Sequence, residues 1–315
     1  MPNGKPPALI GSEGWNLPHP DCDDLLARRV PPLPLGKGIS SSAWWSPSGG
    51  KMKIDTKMAT SITSRQTIGE VIAQMDHVIE RCIRERSRLG YFAVLYRNVT
   101  VRVRDAIAAG RFENGPRMER FDIIFASRYL DAIERFWGNQ QPSASWAAVF
   151  QARDAWSPIV LQHLLLGMHV HINFDLAIAA AQAAPGSELP ALKHDFDEIT
   201  VLLNEMTDNI QERLHKVSPW LGLIDYAGGR SDEKVLAFAM KAARDLAWRV
   251  AQELSATSSD ASAFDQLIAL HDAVVAGFAV PIRNPPGRWL RTVLLVIRLR
   301  EFYDIRTVIE KLRIS

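Results

Sequence analysis

Between Ala155 and Ala184 the chain carries a single formal charge, Asp175, and no Lys, Arg or Glu. Ser157-Pro158 stands near the start of this stretch and Pro185-Gly186 follows it, so the spacing predicts one long helix between them. A helix that is apolar nearly all round must be surrounded by other helices. Its length would also span a bilayer. Three histidines, an asparagine and an aspartate near its centre are costly in lipid, however, so no transmembrane segment is expected. The expected fold is all-α: a multi-helix bundle around one long central buried helix.

The rest of the chain agrees with that class. Thr67-Ile-Gly-Glu70 reads as a capping box opening a helix that Gly90 stops. Further helices are expected over Tyr91–Ala109, closed by Gly110, over Pro116–Trp137, and over Ser143–Gln151. Beyond the central helix come Pro190–Val217, a turn-rich segment ending at Gly228-Gly229, then Ser231–Ala256, Ser262–Ala279 and Pro286–Leu312, the last bending near Arg300. No segment alternates with a period of two, so no sheet is expected. Residues 67–312 therefore form the all-helical domain. Residues 1–63 differ, with nine prolines between Pro2 and Pro47 and a Ser40–Ser42 run. They read as a Pro/Ser-rich N-terminal extension, mostly irregular, with Trp15, Trp44 and Trp45 available to drape on the domain.

A net charge of +2 over 315 residues gives no broad attraction to nucleic acid, and no nucleic-acid-binding module is present. Two cysteines, Cys22 and Cys82, form no framework and no C-x-x-C pair, and the expected location is cytoplasmic. The oligomeric state is not legible.

The polar residues of the central helix sort into two stripes at 100° per residue. His163, Gly167, His171 and Asp175 follow at four-residue steps, while Gln162, His169 and Asn173 lie together on another side. His171 and Asp175, one turn apart, can bond to each other or converge on one cation; imidazole and carboxylate suit zinc, iron or manganese. His163 lies about 12 Å from His171 along the axis, too far to share that metal. Gly167 leaves room for a ligand or a close neighbouring helix. Buried polar groups are normally satisfied structurally, so a neutralised His171–Asp175 pair is the plain alternative. Asp131 and Asp245, on other helices, are the candidates to complete a metal site with His171 and Asp175. His194, Asp195 and Asp197 open a helix, where the dipole accounts for the negative charge. The basic, apolar helix from Arg288 to Arg300 is expected to pack its stripe on the bundle while its arginines reach solvent.

The string Leu161-Gln-His-Leu-Leu-Leu-Gly-Met-His-Val-His-Ile-Asn-Phe-Asp-Leu176 resembles the hallmark of an all-helical, mainly bacterial family of unknown function, whose usual form reads HLLLGMNAHINLDL. The resemblance extends to Phe92-Ala-Val-Leu-Tyr96 with Thr100, Arg128-Tyr-Leu-Asp-Ala132, Ala243-Arg-Asp-Leu-Ala-Trp248 and Arg300-Glu-Phe-Tyr-Asp304. It covers roughly residues 67–312 and implies an all-helical domain without naming a reaction. His169 stands where the usual string has Asn, which shifts weight to His163, His171, Asn173 and Asp175. The His171/Asp175 spacing is also similar to part of the metal site of zinc-dependent phospholipase C, whose N-terminal tryptophan has no counterpart in Met1-Pro2.

The expected function is that of an enzyme acting on a small, largely apolar organic substrate in a cavity beside the central helix. His171 and Asp175 serve there as an acid/base pair or as ligands of a divalent metal, with His163 and Asn173 orienting the substrate. Hydrolysis, cyclisation and oxygen chemistry stay open. The alternative is a non-catalytic ligand-binding or protein-interaction domain.

Overall fold

The computed structural model describes residues 65–224, 233–301 and 304–314, with side chains for all of these but 233–239. Every regular element among the described residues is helical, and the fold is all-α. The extension 1–63 and the Gly228-Gly229 turn lie outside the described residues, as do Ser231 and Asp232.

Helix α1 (Ile68–Glu85) opens where expected: Thr67 Oγ1 accepts from the Glu70 N–H at 3.2 Å. Glu70 does not close the box on Thr67; its carboxylate accepts from the Gln66 N–H instead, at 2.7 Å. The helix ends at Arg86, which takes the left-handed conformation with φ 51, and not at Gly90. Gly90 lies inside α2 (Leu89–Ala108), where a Cβ would strike Ile309 and approach the Cys82 Cβ to 2.9 Å. Its role is close packing rather than termination. Helices α3 (Gly115–Trp137) and α4 (Ala144–Gln151) start on Asn114 and Ser143 caps.

The long central helix is interrupted. It runs as α5 (Val160–Val170), a π-turn (His171–Asp175) and α6 (Leu176–Ala183). Then come α7 (Leu189–Val217), α8 (Glu233–Ala256) and α9 (Ala261–Arg283). The expected last helix is two, α10 (Arg288–Arg298) and α11 (Ile305–Leu312), separated near Arg300 where a bend was expected.

The central segment is enclosed as its composition requires. α5 packs on α2, α4 and α9, while α6 packs on α3 and α8. Within α6 every residue except Gln182 is buried. The core joins all of these faces and extends to Val308, Ile309 and Leu312 of α11. Among the described residues two helices are long and apolar enough to cross a membrane: Val160–Ala183, which is mostly interior, and α9, which is not. Leu270, Val274 and Phe278 of α9 are exposed, a feature the sequence reading does not single out.

Candidate active site

The two polar stripes of the central helix have different uses. Gln162, His169 and Asn173 fasten it to α9. Gln162 Nε2 donates to the Ile282 and Arg283 carbonyls at 2.8 and 3.1 Å, and His169 Nε2 bonds the Val275 carbonyl at 2.9 Å. Asn173 Nδ2 donates to the His169 ring and carbonyl, while its own carbonyl accepts from His271 Nε2 at 2.5 Å. Asn173 is thus bound into the α9 interface and does not join His171.

The other stripe faces α2 and α3. At Gly167 a Cβ would enter the ring of Phe92, so the glycine seats a neighbouring helix and not a ligand. Just beyond it the backbone widens: the Leu176 N–H bonds the His171 carbonyl five residues back, making the π-turn. Such turns are often found at functional sites. Here the turn carries both His171 and Asp175, which are 3% and 1% exposed.

Asp175 is held on every side. Its Oδ1 accepts from Arg128 Nε at 2.9 Å; its Oδ2 accepts from Trp146 Nε1 at 2.9 Å and from His171 Nδ1 at 3.1 Å. With the Arg128 guanidinium against it, Asp175 is the acceptor, and the proton between it and His171 sits on Nδ1. That leaves Nε2 with a lone pair, and among the described residues Nε2 has no hydrogen-bond partner. Burial holds the His171 imidazole below the ordinary histidine range, against the opposing pull of Asp175. The ring is therefore a neutral base at pH 7. Phe125 stacks on it with centroids 3.8 Å apart, and Tyr96 stands edge-on at 4.2 Å.

His171 forms part of the wall of a cavity of about 190 Å³, lined chiefly by apolar side chains including Leu95, Phe121, Leu164, Met168 and Leu203. Among the described lining residues the charged groups are two. Asp122 of α3 is 5% exposed, its Oδ2 has no partner among the described residues, and burial followed by Glu119 pushes its carboxyl up to about 7. Arg244 of α8 is 3% exposed. Neither belongs to the expected site. Asp122 was findable: with Met118, Phe125 and Tyr129 it falls at helical spacing on the apolar face of α3. No local pattern tied Arg128 or Trp146 to Asp175.

The remaining expected residues lie elsewhere. His163 is buried two turns before His171, edge-on to Tyr91 at 5.8 Å, and is absent from the cavity wall. Burial, then Arg88, Arg298 and Arg283, lower its pKa to about 3. Asp131 is bound by Arg65 at 2.8 Å, because its position on α3 turns it toward the N-terminal end of the domain. Asp245 is exposed and paired with Lys241 at 2.7 Å; one residue from Arg244 means 100° around α8, which carries it out of the bundle. Asp195 does more than meet a helix dipole, since it accepts from the Glu113 and Asn114 N–H groups and from Arg117.

The divalent-metal set of His171, Asp175, Asp131 and Asp245 is therefore not assembled. A cation on Asp175 would have to displace Arg128 or Trp146, and the two further carboxylates are paired away from it. Among the described residues one group of three has its ligand atoms within 4.8 Å of one another, Glu113, His194 and Asp195, of which Asp195 is already engaged as above.

Comparison with known proteins gives a family and no activity. Neither curated proteins nor solved structures returned a match. The model of a family of unknown function, DUF5995, matches residues 68–285, from the start of α1 past the end of α9. The matched span includes the π-turn, Asp175 and its partners, and both charged cavity residues, and the chain belongs to that family.

Proposed function

We propose that this protein is an enzyme that moves protons on a small, largely apolar organic molecule. His171 is the general base, Asp175 its positioning partner, and Asp122 the acid. The observation that carries this is the bare, unpartnered Nε2 of a neutral imidazole whose Nδ1 is fixed by a carboxylate. A buried polar atom without a partner costs about 1–3 kcal/mol. Such a cost is tolerated where a bound molecule satisfies the atom. Asp122, pushed up to about 7, still carries its proton near neutrality, so base and acid are ready in one cavity. The described lining offers no Ser or Cys nucleophile, which favours proton transfer over acyl-enzyme chemistry. Asp175 and its partners lie behind the imidazole, off the cavity wall. Phe125 and Tyr96 cover the ring, so the substrate reaches Nε2 when one of them swings aside.

Proton abstraction can be tested without knowing the substrate. The purified full chain is incubated in D2O with a panel of apolar ketones and thioesters, and deuterium entry at the carbon beside the carbonyl is followed by NMR. The parent is expected to accelerate exchange for at least one class. His171→Phe, which fits the aromatic surroundings and should stay folded, is expected to lose that acceleration. Panel members that bind but never exchange in the parent would leave the protein a ligand-binding domain.

A further inference from the structure

Among the described residues Arg244 is a buried cation with no carboxylate among its hydrogen-bond partners. Its Nε donates to Thr200 Oγ1 at 2.8 Å and its Nη2 to the Phe196 carbonyl at 2.6 Å, both on α7. Its guanidinium also lies 4.4 Å from the Phe196 ring centroid. None of these groups carries charge, and among the described residues no hydrogen bond reaches Nη1. The two carboxylates whose fields reach it, Asp197 and Asp245, are paired with Lys193 at 2.5 Å and Lys241 at 2.7 Å. Burial lowers Arg244 to about 10, which still leaves it protonated at pH 7. A charge this far from water normally has a counter-ion.

The same side chain lines the cavity that holds His171 and Asp122, and no other Lys or Arg does among the described residues. The unused edge of a guanidinium presents parallel N–H donors that match a carboxylate. One cation balances one negative charge, which suits a carboxylate better than a doubly charged phosphate. The rest of the wall is aliphatic and aromatic, with room for on the order of a dozen water-sized groups.

We propose that the cavity takes an amphiphilic carboxylate, its head on Arg244 and its apolar body along α2, α5 and α7 toward His171. This builds on the acid–base reading of the same cavity by naming a substrate class, but the anchor is read by binding alone and does not require turnover. Asn204, Thr207 and Gln211 of α7 line the cavity too, and exposed Asn204 marks the side from which a ligand enters.

The test uses two probes of equal length, decanoate and decanol, titrated into the full chain by calorimetry. The parent is expected to bind decanoate at least about tenfold tighter than decanol. Arg244→Met should abolish that preference while leaving decanol affinity unchanged. Equal binding of the two probes by the parent, or binding of neither, overturns the proposal, whether or not the variant folds. So does a folded Arg244→Met chain that retains the preference for decanoate. Head-group preference without deuterium exchange would overturn the enzyme reading alone. Exchange without head-group preference would overturn only the carboxylate assignment.

Discussion

Asp175 accepts from Arg128, Trp146 and His171 through two oxygens, so each donor is supported by the others. Asp175→Asn sets one amide oxygen and one NH2 group against three donors and strips Arg128 of its counter-ion. The expected cost is about 3–5 kcal/mol in urea unfolding. Trp146→Phe removes one donor and keeps the ring stacked near Phe150, at a cost of about 1–2 kcal/mol. In the double variant the two losses should fall short of additive, since they share one carboxylate. An Asp175→Asn chain as stable as Trp146→Phe would show that the network holds less than its geometry implies. How far this site is legible from sequence follows from the same contacts. A four-residue step brings His171 and Asp175 together with no tertiary information. Arg128 and Trp146 reach Asp175 from other helices across 47 and 29 residues, and nothing local records such a meeting. For Asp131, Asp122, Arg244 and Asp245 the deciding variable is the angle around the helix. A candidate chosen for its residue type alone misses it.

Helices are where sequence reading works best and where this chain sets its exceptions. Proline and N-cap signals placed the starts of α3, α4 and α7 within a residue or two, because those signals act through the backbone of the same turn. Glycine is ambiguous, since it serves both termination and close approach. Gly110, with φ +71, ends α2, whereas Gly90 and Gly167 let helices touch. The π-turn has no sequence mark of its own. Its five residues read as continuous helix, and the extra residue per turn emerges only where His171 and Asp175 face their partners. Gly167→Ala tests the element that positions this turn. The added methyl must push Phe92, whose ring packs edge-on against Tyr129 at 5.1 Å and His171 at 5.8 Å. Overpacking of this kind costs about 1–3 kcal/mol. Both stability and ligand affinity should fall, and a compensating Phe92→Leu should recover most of the stability. An unchanged unfolding midpoint for Gly167→Ala would mean that α2 and α5 are free to move apart.

At the level of the whole molecule, the fold outruns its family match at the C-terminal side. α11 fills the notch at Gly90, and Asn98 of α2 donates to the Leu312 carbonyl at 3.0 Å. The interior of the domain holds titratable groups of opposite tendency. His163 is held down to about 3 from the usual 6.5, and His171 is lowered as well. A lowered folded pKa gives stability that is complete above the unfolded value and lost as pH falls toward the folded one. Both histidines therefore make the protein weaken on acidification below about 6.5. Asp122 has the reverse sign. Its folded pKa of about 7 lies above the usual 3.8, so it favours the folded state below 3.8 and loses that contribution as pH rises to about 7. Between these limits the parent gains stability from two buried histidines and gives some back at Asp122 as pH rises. Asp122→Asn keeps the shape and removes only the opposing titration. Its stability relative to the parent should improve by up to about 1.4 kcal/mol per pH unit between pH 4 and 7 and stay level above that. Urea unfolding of both proteins across this range measures the difference directly. A difference that does not vary with pH would place Asp122 in contact with water and remove it as the proposed acid.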